Sequence, residues 1–588
     1  MADSPTLDAD GPIGITIKTD GAAIPDTAQV ASVRIRREAN RIPEAQVILE
    51  TGSIPGQDFG DVDGTAYAIG KDITIAAHYG SGDPATLFSG VIVAQRLRIA
   101  EPRGPRLELL CRDKAIALTR GRKSALYAQM KDSDIIARIA SDTGLTADAT
   151  ATPDTARDQL RHHATDWDFL RALADRNGHL VLVDAGKITT GPPDTSAAPV
   201  LTLTLGEDII EFDAAANTEG LYATARGLGW DDTAKDTVEG QGGALPALTW
   251  GNQTATGLAE VPAKREHLFT TPNRLDAAEI ETMANSRLMR ASLSALQGHC
   301  SFQGSGRVAP GDMVELKGLG AHFGGTAYVS GVTQVIENGD WTTRAHLGLP
   351  EDWLTDAPGP GGGFAAGITA PIHGLHIATV LQIHEDPDAR LRIKVELPLI
   401  GDQPAQVWAR IAQPYASGGA GIQFMPEIGD EVVIAFLNSD PNGPVMVGAL
   451  HNGQTDQPHT PDAENTLKSI VTREQLKIQF DDDKKIITIE TPGGHSVTLD
   501  DDAKTVTIKD TTGNTVELSE SGIKMDSPKD ITISAAGNID ITASGDATLS
   551  GMNVTANADM QMTAKGGAAA ELSAGGQTTV KGAMVMIN

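Results

Sequence analysis

The sequence predicts a mainly β protein with helical inserts, built from several domains. The chain has 588 residues, which is too many for a single hydrophobic core. Hydrophobic residues make up 40% of it and aromatic residues only 4%, while 63 glycines indicate many turns. Apolar and polar residues alternate in short runs along most of the chain, as in strands that bury one face. Over residues 1–355 we expect these runs to form two β-barrel units.

Two helical regions are predicted within residues 1–355. One insert is expected at about 126–180, where "KDSDIIARIASDTGL" and "ATDWDFLRALADRNGHL" carry apolar residues at helical spacing. Asp132 or Ser133 is the expected cap of the first helix, and Thr165 that of the second. A longer helix is predicted at about 276–296.

Residues 370–452 are expected to form a small closed barrel such as an OB-fold. In "RLRIKVELPL" apolar and charged residues alternate, and five or so strands fit into this segment. The flanking segments, 356–369 and 453–474, are predicted linkers. The first is dense in Pro and Gly, and the second is polar and loop-like.

Residues 475–588 are repetitive. A fixed repeat period indicates a repeat architecture and is considered before other sequence patterns. "IQFDDDKKIITIE" at 478–490 recurs as "VTLDDDAKTVTIK" at 497–509. After Pro528 the period tightens to eight residues, with a slip of phase beyond Gly551. The apolar positions that keep this period are Ile531, Ile533, Ile539, Ile541, Leu549, Val554, Met560, Met562, Leu572 and Val580.

Each octad has the form of one short strand and a turn. One or two inward side chains per octad are too few to offset the backbone entropy of eight ordered residues in a single chain. Several identical chains wound around one axis could pool their apolar faces and leave no free strand edge. We therefore predict an intertwined trimeric β-helix over 475–588. A disordered tail and a single-chain β-solenoid are the alternatives.

The chain ends in "KGAMVMIN", which turns apolar where the repeat stops. Exposed apolar ends often mark an interaction site. Met584, Val585, Met586, Ile587 and Asn588 are therefore predicted to dock a tip protein. The alternative is that they cap the core of the rod itself.

In this order of segments the chain resembles the VgrG proteins, the spikes of type VI secretion and of extracellular contractile injection systems, and the hub and spike of contractile phage tails. "DWDFLRALADRNGHLVLV" at 166–183 is similar to a helical motif of phage tail hub proteins. "VWARIAQPYASGGAGIQFMPEIGDEVVIAFLNSDPNGPVMVGAL" looks like the OB-fold at the base of such spikes, and the octads with "VKGAMVMIN" look like the needle. The opening strands resemble most closely the spikes of the extracellular particles.

The resemblance implies a structural role. Three chains would form a pseudo-sixfold hub that joins a hexameric inner tube to a threefold, membrane-piercing needle. The implied partners are two further copies of the chain, the inner tube protein, baseplate proteins, a PAAR-type tip protein and possible effector cargo. The target membrane would be met only by mechanical puncture. A trimeric β-helical receptor-binding fibre is the alternative function.

The sequence offers no residue set for catalysis, and we expect no enzyme, no cofactor and no metal site. G-x-S-x-G, P-loop and H-E-x-x-H motifs do not occur in it. His162 and His163 are adjacent, and His373 and His376 stand near the start of the predicted barrel, but neither pair has a third ligand nearby in sequence.

The net charge, the cysteines and the N-terminal sequence limit the partners and the cellular location that we expect. The net charge of −30 argues against nucleic acid as a partner, because phosphate binding requires cations. Cys111 and Cys300 cannot form a disulfide framework. The start, "MADSPTLDADGPIG", lacks the features of a signal peptide. We expect synthesis and assembly in the bacterial cytoplasm, in a particle that is then released or anchored to the cell.

Overall fold

The computed structural model describes residues 3–587 except for positions 9, 26, 57–58, 60–61, 63, 101–103, 232–233, 235, 246–248, 262, 264, 272–274, 351–368 and 401–403. The chain divides into two compact units, Met1–Thr455 and Asp456–Asn588. The predicted linker 356–369 lies outside the described residues except for Thr369.

The first part of the larger unit is an antiparallel sheet over one core. Along the fourth strand every second side chain is buried, as expected of a strand with one face on a core. The strands are β1 (Ile13–Thr19), β2 (Ala22–Ala23), β3 (Gln29–Glu38), β4 (Glu44–Glu50), β5 (Asp72–Tyr79), β6 (Ala85–Ala100) and β7 (Gly104–Arg112). Their buried side chains include Val33, Ile35, Val47, Ile73, Ile75 and Leu107.

The helical insert follows, with its own core and two helices of 11 residues. Its strands are β8 (Lys123–Met130), β9 (Thr146–Ala149), β10 (Arg157–Ala164), β11 (Leu180–Asp184) and β12 (Lys187–Gly191), and its helices are α1 (Asp132–Asp142) and α2 (Asp166–Arg176). The two helices expected in this insert are present, and strands β8 to β12 accompany them. Thr165 caps α2, since its hydroxyl accepts a hydrogen bond from the Asp168 N–H at 3.0 Å.

The cap predicted for α1 is wrong. The helix begins at Asp132, and the residue in the N-cap position is Lys131, whose side chain makes no capping hydrogen bond. The N–H groups of Asp132 and Ser133 donate instead to Asp154 Oδ2 at 3.1 Å and Thr152 Oγ1 at 3.0 Å. The carboxylate of Asp132 is buried and pairs with a distant arginine, so tertiary contacts replace the local cap.

The chain then returns to the same sheet. The later strands of this sheet are β13 (Leu201–Thr204), β14 (Ile209–Ala216), β20 (Leu296–Gln303), β21 (Met313–Lys317), β22 (Gly325–Glu337) and β23 (Asp340–Leu347). Two small sheets lie between them in sequence. One consists of β15 (Thr224–Asp231), β16 (Asp236–Gln241) and β19 (Glu266–Thr270), and the other of β17 (Thr249–Trp250) and β18 (Gln253–Thr254). The helices are α3 (Ala255–Ala259), α4 (Ala277–Ser294) and α5 (Gly320–Phe323). The helix α4 confirms the prediction at about 276–296, and Asp276 and Glu279 form a capping box at its start.

Both parts share a single sheet of 13 strands. The strand β3 pairs along one edge with β4 and along the other with β22, so that Ile35 lies opposite both Ala45 and Gln334. Each part still has a separate hydrophobic core. The two β-rich units are thus present, but they are joined through β3 into one sheet instead of closing as two barrels.

A closed five-stranded barrel follows, in the order β24-β25-β26-β30-β29. Its strands are β24 (His376–Gln382), β25 (Ile393–Leu397), β26 (Ala405–Ile411), β29 (Glu431–Phe436) and β30 (Pro444–Ala449), with a short hairpin of β27 (Ala416–Ser417) and β28 (Ala420–Gly421). Along β25 and β29 buried residues alternate with partly buried ones, as the alternation in the sequence predicted.

The C-terminal unit is an antiparallel meander in which each strand pairs with the next. The strands are β31 (Leu467–Val471), β32 (Lys477–Asp481), β33 (Ile486–Glu490), β34 (Ser496–Asp500), β35 (Thr505–Lys509), β36 (Thr515–Ser519) and β37 (Gly522–Asp526). Beyond β37, the described residues 527–587 form no helix, strand or hydrogen-bonded turn.

Candidate functional site

One face of the C-terminal meander is apolar across all seven strands. The register places Ile478 opposite Ile489, which in turn lies opposite Val497 on the next strand. Because side chains on paired residues share a face, each such row is continuous. The apolar face comprises Ile470, Ile478, Phe480, Ile487, Ile489, Val497, Leu499, Val506, Ile508, Val516, Leu518, Ile523 and Met525.

Within the described part of the chain, no other segment covers most of this apolar face. Ile478, Phe480, Ile487 and Ile489 are exposed, while the residues that alternate with them in β32 and β33 are partly buried. Ile508 keeps 49% of its surface exposed and Met525 62%. A face this apolar and this exposed indicates an interaction surface.

The segment after the meander repeats its geometry every eight residues. The backbone bends at 528–529, 536–537, 544–545, 552, 559–560, 567–568, 575–576 and 583. This spacing matches the octad read from the sequence, including the shortened step after Gly551. Between bends the chain is extended and, within 527–587, makes no ladder with itself.

The octad positions predicted to form a trimer core are all exposed in a single chain. Ile541 is 82% exposed and Met560 98%. The others, also exposed, are Ile531, Ile533, Ile539, Leu549, Val554, Met562, Leu572 and Val580. One chain therefore cannot bury them, and their role as a shared core remains a prediction.

A groove joins the apolar face to the first octad. It has a volume of about 520 Å³. Its apolar lining is Ile489, Val497, Ile508, Val516, Met525 and Ile531. Apolar residues of the meander and of the first octad thus line one groove, together with polar residues such as Asp526, Ser527 and Asp530.

The predicted tip residues are likewise exposed where the structure describes them. Ile587 is 92% exposed, and Met584, Val585 and Met586 are also exposed. Asn588 lies outside the described residues. Their docking role remains a prediction.

The core residues predicted from the sequence all lie in the octads, and the apolar face of the meander was not among them. The sequence does contain a pattern that indicates this face. The 19-residue repeat spans β32 to β35 and has two apolar residues at alternate positions of each strand. Recognising the face also requires the antiparallel register, which places those pairs in continuous rows.

The histidines singled out from the sequence come together in the larger unit. The rings of His162 and His376 lie edge to face with centroids 5.9 Å apart. Burial, together with the nearby His376 and His163, lowers the pKa of His162 to about 4. Among the residues the structure describes, no three His, Cys, Asp or Glu side chains converge as metal ligands would.

Neither cysteine is placed for chemistry. Cys111 and Cys300 are both buried and unpaired with each other. Burial raises the pKa of each thiol to about 12, so the reactive thiolate is disfavoured. In the described part of the chain, no helix is both long and apolar enough to span a membrane.

Comparison with known proteins identifies the barrel and its surroundings. Residues 376–451 match the type VI secretion system/phage-baseplate injector OB domain. The chain is 30% identical over 96 residues to the actin cross-linking toxin VgrG1 of Vibrio cholerae, which is 15% of this chain and 9% of that protein. It is 28% identical over 110 residues to the type VI secretion system spike protein VgrG2a of Pseudomonas aeruginosa, which is 18% and 13% of the two chains. The matched stretches thus span about a tenth of these relatives.

The fold is shared over a much larger part of the chain. A chain in the lidless PdpA–VgrG complex aligns with a TM-score of 0.52 at 10% identity, covering 88% of this chain and 98% of that one. A chain in the half-lidded Francisella PdpA–VgrG complex aligns with the same score, covering 88% of both. At this identity the alignment establishes the fold alone.

These findings confirm the VgrG-like character expected from the sequence. The model of the Alg8 N-terminal domain matches residues 9–338, which is more than half of the chain. The chain belongs to the family of the Alg8 N-terminal domain.

Proposed function

We propose that this chain is the central spike and hub of a contractile injection machine. In this proposal three chains assemble, their N-terminal sheets form the hub that receives a hexameric inner tube, and their C-terminal units form a threefold needle. The OB-fold barrel stands between the two. The parts are residues 1–355 for the hub, 370–452 for the barrel and 475–588 for the needle, with linkers at 356–369 and 453–474.

The observation that carries this proposal is the uncovered apolar surface of the C-terminal unit. The apolar face of the meander and the octad positions together extend over more than 100 residues, yet one chain leaves most of their apolar side chains exposed. Backbone N–H and C=O groups of residues 527–587 also lack a strand partner within the chain. If copies of the chain wrap around a common axis, the apolar side chains become buried and the backbone groups find partners on neighbouring chains.

Three copies are the smallest number that closes such a prism with a face from each chain. Two flat faces would pack as a sandwich and leave their lateral edges open, which favours aggregation. Three faces enclose a narrow core and pair edge to edge. Threefold symmetry also matches a hexameric tube when each chain supplies two β-rich parts to the hub.

We propose the remaining partners by the same reasoning. The exposed apolar end formed by Met584, Val585, Met586 and Ile587 would be covered by a PAAR-type tip protein. The hub would contact the inner tube and baseplate proteins, and effector cargo would be carried by the assembled particle. The role is structural and not enzymatic. The particle would be assembled in the bacterial cytoplasm and act from outside or from an anchored position.

Mass photometry and electron microscopy of the full chain test the proposal. We expect a species of three times the 61.4 kDa chain mass, seen as a ring with one thin rod. A PAAR-type protein should bind the rod end, and a variant with Met584 and Ile587 both changed to Asp should not bind it. The variant K581E, which alters charge near the end without touching the apolar residues, is the matched control. A stable, protease-resistant monomer, or a rod with a bulky receptor-binding head, would overturn the proposal.

A further inference from the structure

The helical insert and the OB-fold barrel meet at a joint that contains four histidines. His162 and His163 lie on β10 of the insert, and His373 and His376 lie at the start of the barrel. The His162 and His376 rings meet across the joint, and His376 packs edge-on against Phe436 of the barrel with centroids 5.6 Å apart.

Apolar packing and a hydrogen bond join the insert to the barrel. Leu160 of β10 belongs to the barrel core, and Leu126 of β8 packs against it. The backbone N–H of Leu160 donates to the Asn442 side chain at 3.1 Å. Charged groups also line the groove between the two parts, among them Arg157 and Arg176 of the insert and Asp440 of the barrel, and both arginines favour the ionised form of Asp440.

The backbone holds His162 in this position. A β-bulge interrupts the pairing of β10 with β8 between Arg161 and Ala164, and within it His163 adopts a φ of 42°, in the left-handed region. The His162 ring is half-buried, and among the described residues its Nδ1 is buried without a hydrogen-bond partner. The ring thus lies at the joint with no hydrogen-bond partner for Nδ1 among the described residues.

The charged groups around the ring give a proton no compensation. His163 acts on His162 from its own strand and His376 from the barrel, and both disfavour a positive charge there. Asp166, an acid of the insert that follows β10 in sequence, is already paired with Arg161 at 2.5 Å and with Lys123 at 2.9 Å.

We propose that this joint is acid-sensitive: the insert and the barrel stay docked while the His162 ring is neutral, and they separate locally when that ring becomes cationic. A positive charge on this half-buried ring is unfavourable, because burial removes the ring from water and its Nδ1 has no hydrogen-bond partner among the described residues. Once the joint opens, the ring is solvated and this cost is relieved.

The direction of the pH dependence follows from the linkage between protonation and docking. Docking lowers the pKa of His162 from 6.5 to about 4. Docking is therefore complete above pH 6.5 and is lost as the pH falls towards 4. Titration of Asp440 in the barrel has the opposite effect on stability. Burial raises the pKa of its carboxyl to about 6, so this group favours the folded state at low pH. In the wild-type chain the two titrations partly offset each other, and removing Asp440 should expose the histidine response.

Hydrogen–deuterium exchange of the full chain provides the test, with rates corrected for the intrinsic effect of pH. In the variant Asp440→Asn, exchange of peptides from 157–164 and 372–380 should rise at most about thirtyfold between pH 7.5 and pH 5, as expected for a histidine shifted from 6.5 to about 4. Adding His162→Asn should abolish this rise. Adding His451→Asn, an exposed histidine outside the joint, should leave it unchanged.

An equal acid response with and without His162 would overturn the proposal. If the double variant does not fold at pH 7.5, histidine C2-hydrogen exchange in the wild-type chain decides the question. In that measurement the pKa of His162 should lie well below the ordinary imidazole value of 6.5, and a pKa at that ordinary value would also overturn the proposal.

Discussion

Replacing Ile541 with alanine should weaken the assembly of the chain by a calculable amount. In a single chain Ile541 is 82% exposed, so almost its whole side chain is available for burial between chains. Burial of an isoleucine side chain stabilises by about 1.5–3 kcal/mol, and the truncation should remove about 2 kcal/mol per chain. In a trimer the three copies should together lose about 6 kcal/mol, which lowers the association constant roughly 10⁴-fold.

A dilution series of the full chain, followed by mass photometry, measures this change. The neighbouring variant Thr542→Ala is the matched control, because the next residue of an extended segment points to the opposite side. We expect Ile541→Ala to dissociate at a much higher protein concentration than Thr542→Ala, which should behave as the wild-type chain does. Equal dissociation of both variants would show that the octad residue is not in a shared core.

Three further outcomes are expected. Asp440→Asn should stabilise the larger unit by about 2–3 kcal/mol at pH 7.5 and by little at pH 4. Burial raises the pKa of the Asp440 carboxyl to about 6, so its ionisation destabilises the folded protein as pH rises from 3.8 to 6. Urea unfolding at both pH values measures this difference. Cys111 and Cys300 should resist iodoacetamide at pH 8 until the chain unfolds, and rapid labelling of the native chain would contradict their burial. Removing the residues after Ser573 should leave a rod visible by electron microscopy but abolish binding of a PAAR-type protein, and retained binding would place the docking site elsewhere.

The elements with strong local patterns were predictable. The barrel strands follow from alternation, and the observed strands from His376 to Ala449 lie within the predicted 370–452. The helix α4 carries its own capping box, so its start was readable from the sequence. The octad period was also readable, because it recurs in apolar and small residues without any tertiary information.

The features that failed to be predicted depend on long-range contacts. The start of α1 is capped by Thr152 and Asp154, which lie about 20 residues away, and this frees Asp132 for a buried ion pair with Arg176. The joining of both hub parts into one sheet depends on β3 pairing with β22, about 300 residues later. Local propensity contains no information about either contact.

The two stretches of the C-terminal unit differ in how much of their structure a single chain can supply. Between Leu467 and Asp526 each strand is hydrogen-bonded to its neighbours in the same chain, so only the apolar face needs a partner. Between 527 and 587 neither the backbone ladder nor the apolar side chains are satisfied within one chain. The meander can therefore form first and fix the register, since its pairing is local in sequence. The octads would then order only as the chains come together, from the meander towards the tip.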